Sequence, residues 1–580
     1  MRKLLLAAGA LVMLVAAAGA SSFSGAPFPS GKIDLQSASP IAVESDSIFT
    51  VGIGGPVNAT GSPPRVGDNV FANAPQSGPP GGLVGRSETT LTMHGQNVLA
   101  GWNDAQGFCG PPFGSACTPQ SPAGLSGYAY STDGGQNWTD GGGPDLLGTD
   151  ILTRGDPWMD DNGSGTFYYA NLAVNKNTGA SLGFSVHRGH FAGGTFVWDD
   201  VQAFDSPANA VPDSDFYDKE ALVAGKNTNR DDAYVSLTNF QELCGFPQNG
   251  FGQIEVWRTH DGGTTWQGPS IAGPEAPDSA AACGFSGTLQ QSSAPAVAPN
   301  GDVYVAWQYG PVFLTTGGVS SDAAIVVARS TDGGATFAPF STVAGINSSR
   351  NNPPLGFNRS RINDHPRIDV AQTGKYKGRI YVTYYSSVTP VGNPSASVQV
   401  LIDIQTYLKY SDDGGATWSA PVAIGGPLPA HTATLGATKR WWPDVSVSPG
   451  GEVHVVYYEE QATQLTANPT DTECVRSRDG GTRNGKYSSL GDTWWTYSKD
   501  GGESFSMPLK LSSGTSFWCT PSGNPISNIR PNMGDYIDAE AGPGLEVHAL
   551  WADGRDAGPY PPFGAGTFLM TGAAYGVGKS

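Results

Sequence analysis

One eight-residue phrase recurs five times along this chain: STDGGQNW (131–138), THDGGTTW (259–266), STDGGATF (330–337), SDDGGATW (411–418) and SKDGGESF (498–505). A chain that writes one turn at such intervals builds the same supersecondary unit repeatedly, which points to solenoids, propellers and related arrays. Within each copy the aspartate can accept backbone N–H groups of its own loop, the glycines tolerate positive φ, and the closing Trp or Phe packs against a sheet. The aspartates are Asp133, Asp261, Asp332, Asp413 and Asp500, so the first gap is close to two repeat lengths. A degenerate copy is expected between them, and SVHRGHFAGGTFVW (185–198) stands at the right place with the aspartate lost.

A second phrase confirms the period. APAVAPNGDVYVAWQYG (294–310) reads as two strands of alternating apolar residues around a Gly turn, and relatives lie at 88–104, 157–172, 219–240, 366–386, 443–460 and 535–555. These seven hairpins are rich in Val, Tyr and Trp. Each except the last is followed by a third strand, the eight-residue phrase or its degenerate form, and a fourth strand. The expected fold class is therefore all-β: a β-propeller of four-stranded antiparallel blades, seven in number with six as the alternative. The seventh unit has a third strand at GTFLMTGA (566–573), and SIFTVGIG (47–54) is expected to supply its outer strand and close the ring. Residues 47–580 form one propeller domain, with Gly/Pro/Ser-rich leader and loop segments at 21–46 and about 60–85.

Compartment and partners follow from the N-terminus and the charge. Arg2 and Lys3 precede an apolar run, Leu4 to Ala18, and Ala18-Gly19-Ala20 offers a cleavage site, so residues 1–20 read as a signal peptide and the protein as secreted. The apolar run is short of a membrane span, and no stable membrane anchor is expected. A net charge of −19 would repel phosphate backbones, which excludes nucleic acid as a partner. In an oxidising compartment six cysteines suggest disulfides. Sequence proximity favours Cys109–Cys117, Cys244–Cys283 and Cys474–Cys519 among the fifteen connectivities that six cysteines allow. No clustered Cys or His pattern suggests zinc. No cofactor is required; calcium among Asp and carbonyl oxygens is compatible with the channel, although no EF-hand-type loop is present.

The octapeptide resembles the Asp-box, or BNR repeat, of sialidases and related propellers. The resemblance implies that the Asp-box joins the third and fourth strands on the face opposite the active site, so its five aspartates are structural. The active face would then hold the loops entering each first strand and those between second and third strands. These carry Arg86, Glu88, Arg154, Asp156, Tyr217, Asp218, Lys219, Glu220, Asp364, His365, Arg367, Arg440, Trp441, Trp442, Asp444, Asp535 and Tyr536, with Asn103, Asp104, Glu459, Glu460, Asp553 and Arg555. Arginines, carboxylates and aromatics around one channel suit a carbohydrate bearing a carboxylate.

Likeness to sialidases implies three arginines on the substrate carboxylate, an Asp acid/base and a Tyr nucleophile assisted by a Glu. By topology, Arg86, Arg367 and Arg440 would take the first role, Asp156 or Asp218 the second, and Tyr536 with Glu220 or Glu459 the third. Trp441 and Trp442 would offer an apolar platform to a sugar, and Asp535 would contact substrate. The sialidase Arg-Ile-Pro phrase is absent, since Ser87 and Glu88 follow Arg86. The expected function is thus a sialidase-like glycoside hydrolase on an acidic glycan. The alternatives are a different glycan-cleaving propeller using paired carboxylates, such as Asp218 with Glu459 or Asp535, and a non-catalytic glycan- or protein-binding propeller.

Overall fold

The computed structural model describes residues 65–67, 69–72, 86–104, 124–205, 216–226, 229–240, 252–274, 286–313, 323–349, 363–389, 402–432, 435–464, 487–517, 534–542, 546–553 and 572–579. These residues belong to one compact unit. The signal peptide, the leader, the 47–54 strand, Arg555 and all six cysteines lie outside them.

Two short strands open the described chain, β1 (Arg65–Val66) and β2 (Val70–Phe71). Four sheets then follow in strict sequence order. The first holds β3 (Arg86–His94), β4 (Asn97–Asp104), β5 (Ser126–Ser131) and β6 (Thr139–Gly142). The second holds β7 (Ile151–Asp161), β8 (Thr166–Asn175), β9 (Ser181–Ala192) and β10 (Thr195–Phe204). In the third are β11 (Phe216–Ala224), β12 (Ala233–Phe240), β13 (Gly252–Thr259) and β14 (Gln267–Ile271). The fourth comprises β15 (Ser286–Val297), β16 (Val303–Phe313), β17 (Ala323–Ser330) and β18 (Ser341–Ile346).

Two further four-strand runs come next. One is β19 (Arg367–Val370), β20 (Ile380–Ser387), β21 (Ile404–Ser411) and β22 (Val422–Ala423). The other is β23 (Leu435–Val447), β24 (Val453–Gln464), β25 (Tyr487–Ser498) and β26 (Leu509–Lys510), with β27 (Ser516–Phe517) also on β25. A parallel pairing of Ile404 with Lys439 merges these runs into one nine-stranded sheet. The last sheet is β28 (Asp538–Ala541), β29 (Glu546–Asp553) and β30 (Gly572–Lys579), to which β1 and β2 both add along β30.

All seven expected hairpins are antiparallel pairs, but seven hairpins do not make seven sheets. Five sheets stand as separate blades, four of four strands and one of five, while the nine-stranded sheet is fused across β21 and β23. The count of seven, and the alternative of six, is corrected accordingly. Hairpin counting sees only contacts within a unit, whereas the fusing contact lies between units. The third strand of the last unit also lies later than expected, at 572–579, and residues 65–71, expected as loop, carry β1 and β2.

Period-2 alternation explains why the sheets stack. In β16, Val303, Val305 and Trp307 enter one apolar cluster with Tyr234 and Val256, whereas Tyr304 and Ala306 enter another with Ile380 and Val382. Likewise β24 sends Val456 and Tyr458 to one side, and Val453, Val455 and Tyr457 to the other. A strand apolar on both faces must be covered on both, so the sheets of β16 and β24 are each packed between two neighbours. Leu550 and Tyr575 of the last sheet share a cluster with Leu91, Val98 and Trp102 of the first.

Asp-box turns join third strands to fourth strands, and all five repeat one set of bonds. In the 411–418 copy the Ser411 hydroxyl donates to Asp413 Oδ1 (2.8 Å) and accepts from Gly415 N–H (2.9 Å). Asp413 Oδ1 also takes Thr417 N–H (2.9 Å), and Oδ2 takes the Thr417 hydroxyl (2.6 Å). The degenerate copy is likewise a third-to-fourth-strand turn, at Gly193–Gly194. Gly135 shows why glycine is needed: its φ is +85° and a Cβ there would stand 2.2 Å from the Tyr575 ring.

Candidate active site

First strands share an irregularity that local sequence does not announce. Pairing slips between Ser87 and Thr90 in β3, Gly155 and Trp158 in β7, and Asp218 and Ala221 in β11. The same slip occurs between Gln291 and Ala294 in β15 and between Trp441 and Asp444 in β23. Each bulge contains a non-glycine residue in the left-handed region: Glu88 (φ 52°), Asp156 (55°), Lys219 (57°), Ser292 (64°) and Trp442 (46°). Such backbone costs on the order of 1 kcal/mol or more per residue and persists only where the surroundings enforce it. Five copies at one level of the sheets re-aim five side chains together. Antiparallel alternation puts this level at the end of the sheets away from the Asp-box turns.

Lys219 is the hub. Its Nζ lies 3.1 Å from Glu88 Oε1, 3.0 Å from Asp156 Oδ2 and 3.2 Å from Asp535 Oδ2. Burial works against charge on this lysine, but Asp156, Glu88 and Asp535 together outweigh it and hold its pKa well above the ordinary lysine value. Asn103 fixes two of the carboxylate residues: its Nδ2 donates to Glu88 Oε2, and its Oδ1 accepts Asp156 N–H (2.8 Å). Of the three carboxylates, Asp156 is the most accessible, with 13 % of its side chain exposed against 0 % for Glu88 and 2 % for Asp535.

Tyr536 lies beside this hub. The Lys219 ammonium is 5.6 Å from its ring centre, and the Arg367 guanidinium is 5.1 Å away on the ring and 4.0 Å over Trp158. The Tyr536 hydroxyl donates to Pro157 O (3.0 Å). Burial, with Glu88 and Asp156 nearby, pushes that hydroxyl well above the ordinary tyrosine pKa. His365 packs near Tyr536 and shares a 3.2 Å hydrogen bond with Ser292; burial and Lys219 keep it neutral. Glu220, next to the hub, is buried, and neither carboxyl oxygen has a hydrogen-bond partner among the described residues. Burial, then Asp156, raises its pKa well above the ordinary glutamate value and so favours its neutral form.

Of the expected site residues, Asp156, Lys219, Glu88, Asp535, Tyr536, His365 and Arg367 come together. The other two arginines have separate surroundings. Arg86 is buried 3.7 Å from Asp104, and Arg440 pairs with Glu459 (2.7 Å) while donating to Gly426 O (2.7 Å) and Ile424 O (3.2 Å). Asp218 accepts from Gln291 (2.5 Å), and Asp364 takes Gln308 (3.1 Å) and Ser349 N–H (2.7 Å). Tyr217 donates to Asp205, and Asp553 accepts from Trp551 (3.0 Å). Glu460 is buried and Arg154 is exposed.

Trp441 and Trp442 are not a sugar platform. Both are buried in the core with Tyr458 and Trp495, because the bulge at this place turns them between sheets rather than outward. Sequence reading named Lys219 and Asn103 without giving either a role and passed over Trp158; the repeated bulge that unites them is visible only through the partner strands' register. Among the described residues no group of three or more His, Cys, Asp or Glu side chains is arranged to hold a metal ion.

The BNR/Asp-box repeat pattern matches residues 409–420. A search of curated protein sequences gives no match. Among solved structures, a Dyadobacter fermentans protein of unknown function is 14 % identical with a TM-score of 0.38, covering 74 % of this chain and 98 % of its own. A Penicillium chrysogenum α-L-arabinanase bound to arabinobiose is 15 % identical (TM-score 0.39; 68 % and 94 % covered). A Trypanosoma rangeli sialidase bound to the inhibitor DANA is 11 % identical (TM-score 0.36; 66 % and 53 % covered). Chemistry has to be argued from side chains at such distances. The five turns, their shared bonds and the four-stranded antiparallel sheets make this chain an all-β propeller of four-stranded blades that carries a BNR/Asp-box repeat.

Proposed function

We propose that this is a secreted glycan-cleaving propeller whose sheets close around a channel and whose chemistry lies at the Lys219 end. The carrying observation is the convergence of Glu88, Asp156 and Asp535 on one lysine, with Glu220 buried nearby and its pKa raised. In this reading Asp156, the most accessible, meets the sugar as an ion-paired carboxylate, and Glu220, buried nearby, is the store of the proton that goes to the leaving oxygen. The reaction needs one carboxylate and one carboxylic acid. Lys219 and Arg367 are outnumbered by Glu88, Asp156, Asp535 and Asp444, which favours a neutral sugar at the point of cleavage.

Assay of the secreted protein on a panel of aryl glycosides tests this. Asp156→Asn and Glu220→Gln are each expected to lower kcat/KM by about 10²–10⁴-fold, the Glu220 variant more severely on poor leaving groups. Wild-type inactivity across neutral and acidic glycosides would reject the enzyme in favour of a binding propeller. The contact of Arg367 with Tyr536 supports a second, sialidase-type reading, in which Tyr536→Phe abolishes turnover of sialosides that the wild type cleaves.

A further inference from the structure

We propose that Asp538 carries a proton at neutral pH and donates it to an ionised Asp444, the two forming a positioning pair that holds Arg367 under Tyr536. This rests on reading the Lys219 end as the active end.

Its geometry is a shortage of donors. Asp444 Oδ2 and Asp538 Oδ1 both turn to the single N–H of Ala539, at 2.7 and 3.0 Å. Two carboxylate oxygens meeting at one donor repel unless a proton lies between them. The charge belongs on Asp444, whose Oδ1 is 3.6 Å from Arg367 Nε. Asp538 Oδ2 instead faces two neutral donors, Leu91 N–H and the Thr90 hydroxyl, both at 2.8 Å. Thr90 Oγ1 in turn accepts Met159 N–H (2.9 Å), beside the Trp158 ring on which Arg367 lies. The pair thus joins β3, β7, β19, β23 and β28 around one guanidinium.

The groups facing the pair are few. From β19 comes Arg367, from β23 Asp444, and from β3 and β7 only neutral donors and Trp158; Tyr536 and Tyr385 flank Arg367. Burial, reinforced by Asp444, raises Asp538 well above the aspartate range against the pull of Arg367. Burial raises Asp444 only to about 6, because Arg367 opposes it. A folded-state pKa above the unfolded value gives stability that is complete at acidic pH and is lost as pH rises through the folded value.

Thermal midpoints of the full chain from about pH 5 to pH 9 test the assignment. Asn at 538 can donate to Asp444 and accept from Leu91 as the acid does. Asp538→Asn should therefore keep the wild-type midpoint at pH 5 and decline less steeply toward pH 9, the remaining slope coming from other buried carboxyls with raised pKa such as Glu220 and Asp369. Asp444→Asn leaves Arg367 without its counter-charge and should lower the midpoint by about 5 °C or more. Equal damage from both variants, or a wild-type pH slope in Asp538→Asn, overturns the proposal; if Asp444→Asn does not fold, the slope of Asp538→Asn decides alone. On an active glycoside, Asp538→Asn should stay within about 3-fold of wild-type kcat, while Asp444→Asn falls by more than about 10-fold. Thermal asymmetry in a chain that turns over no glycoside would leave the shared proton standing and remove only the reading of the site.

Discussion

His187 shows what a buried ring costs when it has little to bond. It lies in the core of the second sheet, edge-on to Trp198 at 5.5 Å, and its ring nitrogens have no well-formed hydrogen bond among the described residues, only a weak approach to the Asp145 backbone. Burial pushes its pKa down to about 3. Since the folded value is below the unfolded value near 6.5, the contribution is intact above about pH 6.5 and is lost as pH falls toward 3. His187→Leu is therefore expected to match the wild-type midpoint within about 2 °C at pH 8 and exceed it near pH 4, by thermal denaturation across that range. Buried His454 and His548, both lowered to about 4, leave the variant with some acid sensitivity of its own.

At the scale of the element, the Asp-box is a turn that also couples sheets. Arg379, just before β20, grips Asp412 with two 2.7 Å bonds, lies 4.1 Å over the Tyr410 ring, and donates to Gly501 O (2.8 Å) in the Asp-box of the following run. Arg188 does the same for Gly262 O (2.7 Å), and Arg258 reaches Gly334 O (3.4 Å). Arg379→Ala should cost about 2 kcal/mol in urea denaturation, and lysine should recover little because it cannot make the paired grip. The turns themselves were readable in sequence because every bond of Asp413 falls within four residues of it. The bulges were not: whether Asp156 or Trp442 turns left-handed depends on which residue of β8 or β24 it faces, information held tens of residues away. Trp442 was misread for that reason, since its type suits a sugar platform as well as a core.

For the whole molecule, Lys219 is the point at which separate sheets depend on one another. It stands on β11 and ties Glu88 of β3, Asp156 of β7 and Asp535 at the approach to β28. Each of those carboxylates was visible in sequence as a polar strand-entry residue, but their meeting required the arrangement of the sheets, which no local pattern contains. Lys219→Met removes the only cation among the described residues that touches all three and leaves buried negative charges facing one another. Breaking such a group by deleting one partner costs roughly 3–5 kcal/mol. The loss should be greatest at high pH, because at low pH the stranded carboxyls can take up protons and relieve their repulsion. Their folded-state pKa values then rise above the unfolded ones, so stability kept in acid is lost as pH increases. A midpoint difference from wild type that widens between about pH 5 and pH 8, and narrows again in Lys219→Met with Glu88→Gln, is the expected outcome. A deficit independent of pH would mean that Lys219 serves by packing its stem rather than by holding charge.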